Sequence, residues 1–345
     1  MNAARRPATF VRRVAAASAA ALVALAVGSG GLAGAGPNDA GPNDAGAGDA
    51  DAERAAAVAR VERIGTLVEE RYWDLSVVPV SWDEVRARAR AEAEARAHAG
   101  PEAIDAILVE MVDALADDHS RYLPPSEVDE VRDAFGDLPC IGVFGQAATP
   151  EPGGAHGPVS WRLVAGDLSV IRVEDLARAG TADGVRRAVE AAERAGAEAH
   201  LLDLRGNPGG RLVEMMATAG VFERGFLWRV VTRWSLPLPY PALGTPATDR
   251  PLAVWIDGNV HSAAEGLAGG LQASGRATVF GPGPSAGNVE AVLPFCLRDG
   301  SQLWIATGVL APIGAPTWLG EGVRPDAVAS GEDLPRVVRS ALLGR

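Results

Sequence analysis

The sequence contains no lysine: all 32 of its basic residues are arginine. Any reaction that needs a neutral amine as proton acceptor is thereby excluded. Arginine cannot stand in, because its guanidinium stays protonated at working pH. Positive charge is scarce as well. With 44 acidic residues the net charge is −12, so the basic face that phosphate binding requires is missing, which argues against a nucleic-acid partner. Cysteine is limited to Cys140 and Cys296. In an exported chain an even count permits a disulfide, but two residues at unrelated positions read as buried free thiols. The histidines and cysteines show none of the close pairings of zinc ligation, and no phosphate loop occurs, so neither metal nor cofactor is expected. No apolar run reaches the ~20 residues that span a bilayer.

What is present begins with an export signal. Arg5, Arg6, Arg12 and Arg13 precede an apolar run from Val14 to Val27 and the small residues Ala33, Gly34 and Ala35, the order of a secretory signal peptide over residues 1–35. The chain is expected to be periplasmic, cell-envelope or extracellular; left uncleaved, the run would hold it near a membrane. Residues 36–53, in which GPNDA occurs twice, read as a flexible linker. Val58, Val61, Ile64, Leu67 and Val68 then recur at helical spacing. Ser81 with Glu84 forms a capping box for a second helix through Arg96, and Pro101 to Leu115 supplies a third. Residues 54–139 are thus a helical subdomain, and residues 140–345 an α/β domain.

In that second part IGVF (141–144) and LSVIRV (168–173) read as strands, and Gly184 to Ala195 as a helix. HLLDL (200–204) followed by RGNPGG, and LAVWI (252–256) followed by a turn and a small-residue helix from Ser262, form two strand/turn/helix units. Such turns sit at the carboxyl edge of a sheet, where amide N–H groups and a helix N-terminus favour an anion. Taken alone, the first is an ordinary glycine-rich turn and Ser262 an N-cap serine.

In this order, LADDHSRYLPP, CIGV, LSVIRVEDL, LLDLRGNPGG, AVWIDGNVHSAAEGLAGGLQASGRATVFG, LRDGS and GVRPD resemble the C-terminal processing (tail-specific) serine peptidases from about Arg60 to Asp326. The resemblance implies a Clp protease/crotonase-like core and a serine-type endopeptidase acting on unfolded or C-terminal polypeptide segments. It puts the nucleophile on Ser262 and the oxyanion donors on the amides of Ala263 and of Gly209 or Gly210. Two departures stand out. The family's PDZ domain has no room, since Gly142 and Leu168 are 26 positions apart. The family's Gly-Lys-Gly segment reads Ser285-Ala286-Gly287-Asn288-Val289-Glu290, so the lysine base is gone.

A serine hydroxyl needs a proton acceptor. His119 is the first candidate, because tricorn-type relatives resemble this pattern with a histidine base in the N-terminal segment; its other reading is a structural residue packed below Tyr122. Asp118 or Glu290 could orient it. His261 ranks second, since neighbours at a helix start project in different directions. Glu265, three positions after Ser262, reads as structural, and Glu290 is the remaining supporting carboxylate. His98, His156 and His200 look incidental. Most of the eight tryptophans belong to the core. The alternative to a peptidase is a catalytically silent relative that keeps the groove as a peptide-binding or scaffold protein. A crotonase-type acyl-CoA enzyme is disfavoured by the export signal. Oligomeric state is not legible.

Overall fold

The computed structural model describes residues 45–135, 157–331 and 333–344. The segment read as a signal peptide, IGVF, His156 and Cys140 lie outside these residues. Three helices open the fold: α1 (Ala45–Arg71), α2 (Trp82–Arg96) and α3 (Pro101–Asp113). α1 begins inside the stretch read as linker, so its last residues before Arg54 are helical. Ser81 caps α2 by accepting the Glu84 N–H at 3.5 Å, and Pro101 occupies the first turn of α3, where its missing N–H costs nothing.

These helices bury Val61, Ile64, Leu108 and Met111 in a shared cluster, but Phe295, Leu303 and Ile305 from the far end of the chain complete it. The subdomain is therefore closed by strands rather than by its own helices. β1 (Arg121–Leu123), β5 (Phe226–Val231), β6 (Leu238–Pro241), β9 (Glu290–Cys296) and β10 (Gln302–Pro312) form the antiparallel sheet that does so. β10 is its spine, pairing with β9 on one side and with β1 and β5 on the other.

The second sheet has the order β11-β8-β7-β4-β3-β2, from β2 (Val159–Val164), β3 (Leu168–Val173), β4 (Ala199–Asp203), β7 (Leu252–Trp255), β8 (Ala277–Gly281) and β11 (Ala327–Val328). All its pairings are parallel except β2 with β3. β4 and β7 are buried along their whole length because helices cover both faces. α5 (Thr181–Arg194), α6 (Leu212–Ala219) and α7 (Ala263–Ala273) pack on one face, and α8 (Leu334–Leu343) on the other. α4 (Pro125–Phe135) follows β1. α7 is dominated by small residues for a steric reason: a Cβ at Gly266, Gly269 or Gly270 would lie 2.3–2.5 Å from Met215, Trp318 or Trp228.

Cys296 departs from the expectation of two buried free thiols. It is disulfide-bonded and sits at the exposed end of β9. Of the tryptophans in this half, Trp228, Trp255 and Trp304 are core, whereas Trp234 is 52% exposed under the guanidinium of Arg233.

Candidate active site

β4 and β7 are parallel neighbours, with Asp203 opposite Trp255, so the turns that leave their carboxyl ends must lie side by side. They are also tied together. Gly206 N donates to Asp257 Oδ1 at 2.9 Å, and His261 N donates to the Asn207 carbonyl at 3.0 Å. Asn207, fully buried, holds the first turn from within: its Nδ2 donates to Val173 O at 3.0 Å and its Oδ1 accepts Gly209 N at 2.8 Å. Arg205 lies over the Trp255 ring at 3.3 Å and forks onto Asp203 at 2.7 and 2.9 Å. Asp257, Asn207 and Arg205 were not singled out from the sequence, because their role depends on two turns meeting in space.

The approach explains Gly209 and Gly210. A Cβ on Gly209 would stand 2.8 Å from His261 O, 2.9 Å from Ser262 Cβ and 3.0 Å from Ala263 N. One on Gly210, whose φ is 145°, would stand 2.1 Å from Leu176 C. Leu176 donates to Gly209 O and accepts from Arg211 N in a parallel bridge. In such a bridge the central residue's own N–H points away from the partner strand, so the Gly210 amide is turned away from Leu176. The Gly209 amide, in contrast, is committed to Asn207.

Ser262 is the N-cap of α7, at φ 54° and ψ −122°, a region that non-glycine residues occupy at a cost of about 1–3 kcal/mol. The turn over-determines it. Ser262 N donates to both Asn288 O and Glu265 Oε2, each at 2.9 Å. Glu265, wholly buried, accepts three further donors: Ser285 Oγ and Gly287 N at 2.6 Å on one oxygen, and Asn288 N at 2.9 Å on the other. Burial pushes its carboxyl above the usual range, and these four donors pull it back. The N–H of Ala263, the first helical residue, belongs to the set without an intrahelical acceptor and carries the positive end of the helix dipole.

The segment that Glu265 grips leads directly into β9, whose first residue is Glu290. His119 arrives from the other direction, on the loop between α3 and β1. Asp117 accepts the backbone N–H of His119 at 2.8 Å and also that of Ser120, and Ser120 Oγ accepts Ala306 N at 3.0 Å. His119 is 2% exposed and Glu290 is buried beside it, with His119 Nδ1 and Glu290 Oε2 3.1 Å apart. That distance is within ion-pair reach, though the mutual direction falls short of hydrogen-bond geometry. Burial, and then the charges of Asp117 and Glu290, push the Tyr72 phenol far up, so it remains a donor at this inner wall.

His261 is half-buried, with Nδ1 3.4 Å from Asn288 Nδ2. Nδ2 also donates to Asp118. Asn288 was quoted in sequence only as part of the segment without lysine; its bridging amide was not foreseen. His200 lies away from this cluster, buried between Ser169 and Glu193, and His98 is exposed in a short turn after α2. No helix of the described residues is long and apolar enough to cross a membrane.

Known proteins resemble the chain in sequence and in fold. Residues 167–329 match the model for peptidase family S41. The chain is 39% identical over 90 residues to a carboxyl-terminal-processing protease of Picosynechococcus sp., covering 26% of this chain and 22% of that protein. It is 30% identical over 145 residues to a carboxy-terminal-processing protease of Bartonella bacilliformis, covering 39% and 32%. The matched region thus spans only about a quarter to a third of the length of these relatives. In fold it resembles the photosystem II D1 C-terminal processing protease, with a TM-score of 0.61 at 18% identity over 81% of this chain and 94% of that one. It also resembles mature CPAF complexed with lactacystin, with a TM-score of 0.56 at 11% identity over 85% and 100%. The core is accordingly Clp protease/crotonase-like in fold, and over residues 167–329 the chain is similar to peptidase family S41.

Proposed function

We propose that the protein is an exported serine-type endopeptidase acting on unfolded or C-terminal polypeptide segments, with Ser262 as nucleophile, His119 as general base and Glu290 as the group that orients it. The observation that carries this reading is the buried His119–Glu290 pair at 3.1 Å, held against the same 285–290 segment that fixes the Ser262 backbone. A carboxylate at Nδ1 orients the ring and stabilises the imidazolium, leaving Nε2 to accept the serine proton. Ser262 Oγ attacks the scissile carbonyl as His119 takes its proton. The developing oxyanion is met by the amides of Gly210 and Ala263. His119 then protonates the leaving amine, and water, deprotonated by His119, releases the acyl group from Ser262. The pair supplies what the absent lysine would have supplied, and this favours a peptidase over a silent peptide-binding relative.

Fluorophosphonate labelling of the protein from Ala45 onward, with cleavage of an unfolded substrate measured alongside, tests the reading. Wild type is expected to label at Ser262, and Ser262→Ala not at all. His119→Ala should slow labelling roughly 10²–10⁴-fold, and Glu290→Gln should slow it less than His119→Ala does. A folded wild type that neither labels nor cleaves would sink the peptidase and leave the scaffold reading.

A further inference from the structure

We propose that Asn288 is a positioning residue whose side-chain amide bridges the His119 loop to the Ser262 turn through Asp118 and His261, and fixes His261 in the tautomer protonated on Nε2. The inference rests on the serine-peptidase reading for its kinetic consequence but not for its structural one. Asp118 immediately precedes His119, and His261 immediately precedes Ser262. One side chain therefore touches the sequence neighbour of the base and the sequence neighbour of the nucleophile.

The orientation of the amide follows from its partners. An ionised carboxylate only accepts, so the Asn288 group facing Asp118 is the NH2. The second hydrogen of that NH2 is left for His261 Nδ1, 3.4 Å away. A nitrogen that faces a donor must present its lone pair, and the ring proton then resides on Nε2. His261 in this form has its Nδ1 lone pair engaged and its Nε2 capped by hydrogen. It cannot take the proton of Ser262, although it stands next to it in sequence. The same bridge thus sets the spacing of the two loops and assigns the base to His119.

The side chain is separable from the fold. Asn288 holds Ser262 N through its backbone carbonyl and Glu265 through its backbone N–H, and neither bond needs the amide. Asn288→Ala is therefore expected to keep its thermal midpoint while labelling of Ser262 slows about tenfold or more, with KM for a peptide changed less than about twofold. Asp118→Ala should act similarly. The double variant should be no slower than the slower single one, because both remove one bridge. Asp118→Asn keeps an acceptor oxygen and should restore labelling to within about threefold of wild type. The tautomer is read independently by 15N NMR of the five histidines, with His261 assigned by His261→Gln. Its Nδ1 should give an unprotonated-nitrogen resonance that shifts in Asn288→Ala. Wild-type labelling rates in Asn288→Ala, or additive losses in the double variant, overturn the kinetic role; an Nδ1-protonated His261 overturns the bridge. If wild type does not label at all, the peptidase reading falls, and the NMR result still decides whether Asn288 sets His261.

Discussion

At the scale of single residues, the site is governed by how few groups hold many others. Glu265 accepts four donors with two oxygens, two on each. Burial raises its carboxyl, so with a raised folded-state pKa the charge itself costs stability as pH rises through the carboxylate range. Its worth lies in geometry: it joins the Ser262 turn to the 285–288 segment. Glu265→Gln removes the charge but places an NH2 against two of the four donors. Two buried N–H or O–H groups then lose their acceptor, each at about 1–3 kcal/mol, which outweighs the relief of desolvation. The variant is expected to unfold at lower urea by roughly 2 kcal/mol or more and to label more slowly at Ser262. Equal urea midpoints would show that the carboxylate is neutral in the folded protein and that the donors are satisfied otherwise.

At the scale of elements, the geometry of the candidate site is made by two turns pressed together, and Gly210 is where that contact tolerates nothing larger. Its φ of 145° costs a substituted residue about 1–3 kcal/mol, before a Cβ overlaps the Leu176 carbonyl carbon at 2.1 Å. Gly210→Ala should lower the thermal midpoint and abolish labelling together, whereas Gly206→Ala, with open space around its Cβ, should lose only the backbone term. Equal effects of the two would sink the close-packing account. The same turns show what a sequence discloses. LSVIRV, HLLDL and LAVWI were readable as strands because helices bury both of their faces, which leaves continuous apolar runs. β5, β6, β9 and β10 were not, since they carry mixed patterns and, although β5–β6 and β9–β10 join chain neighbours, the sheet is assembled only when β10 pairs with the distant β1 and β5. Ser262, the glycine turn and His119 were legible as local motifs. The positive φ of Ser262, the choice of Glu290 over Asp118 beside the His119 ring and the Asn288 bridge arise only when the 117–120 loop meets the 288–290 segment.

At the scale of the whole molecule, a buried ionisable cluster away from the site ties stability to pH. His200, on β4 and wholly buried, has Nδ1 2.7 Å from Ser169 Oγ and Nε2 3.3 Å from Glu193 Oε1 and 3.4 Å from Thr248 Oγ1. Burial depresses its pKa first; Glu193 opposes this, and the charges of Arg250 and Arg276 reinforce it. Burial would raise Glu193, yet Thr248, His200 and Arg250 hold it below its ordinary range. A histidine depressed in the folded state is neutral there while the unfolded chain still binds a proton near pH ~6.5. Its contribution is therefore complete above that value and is lost as pH falls toward the folded-state pKa. Glu193, also depressed, loses its contribution in the same direction, but only in the lower carboxylate range. Urea unfolding between pH 7.5 and pH 5 should accordingly show stability falling with acid. The His200 share is at most about 1.4 kcal/mol per pH unit, and His200→Asn should flatten the slope by that share whatever it does to stability at pH 7.5. Identical slopes in the two proteins would mean that His200 binds its proton equally in the folded and unfolded chain, and a steeper acid loss in His200→Asn would mean that the folded ring carries charge against Glu193.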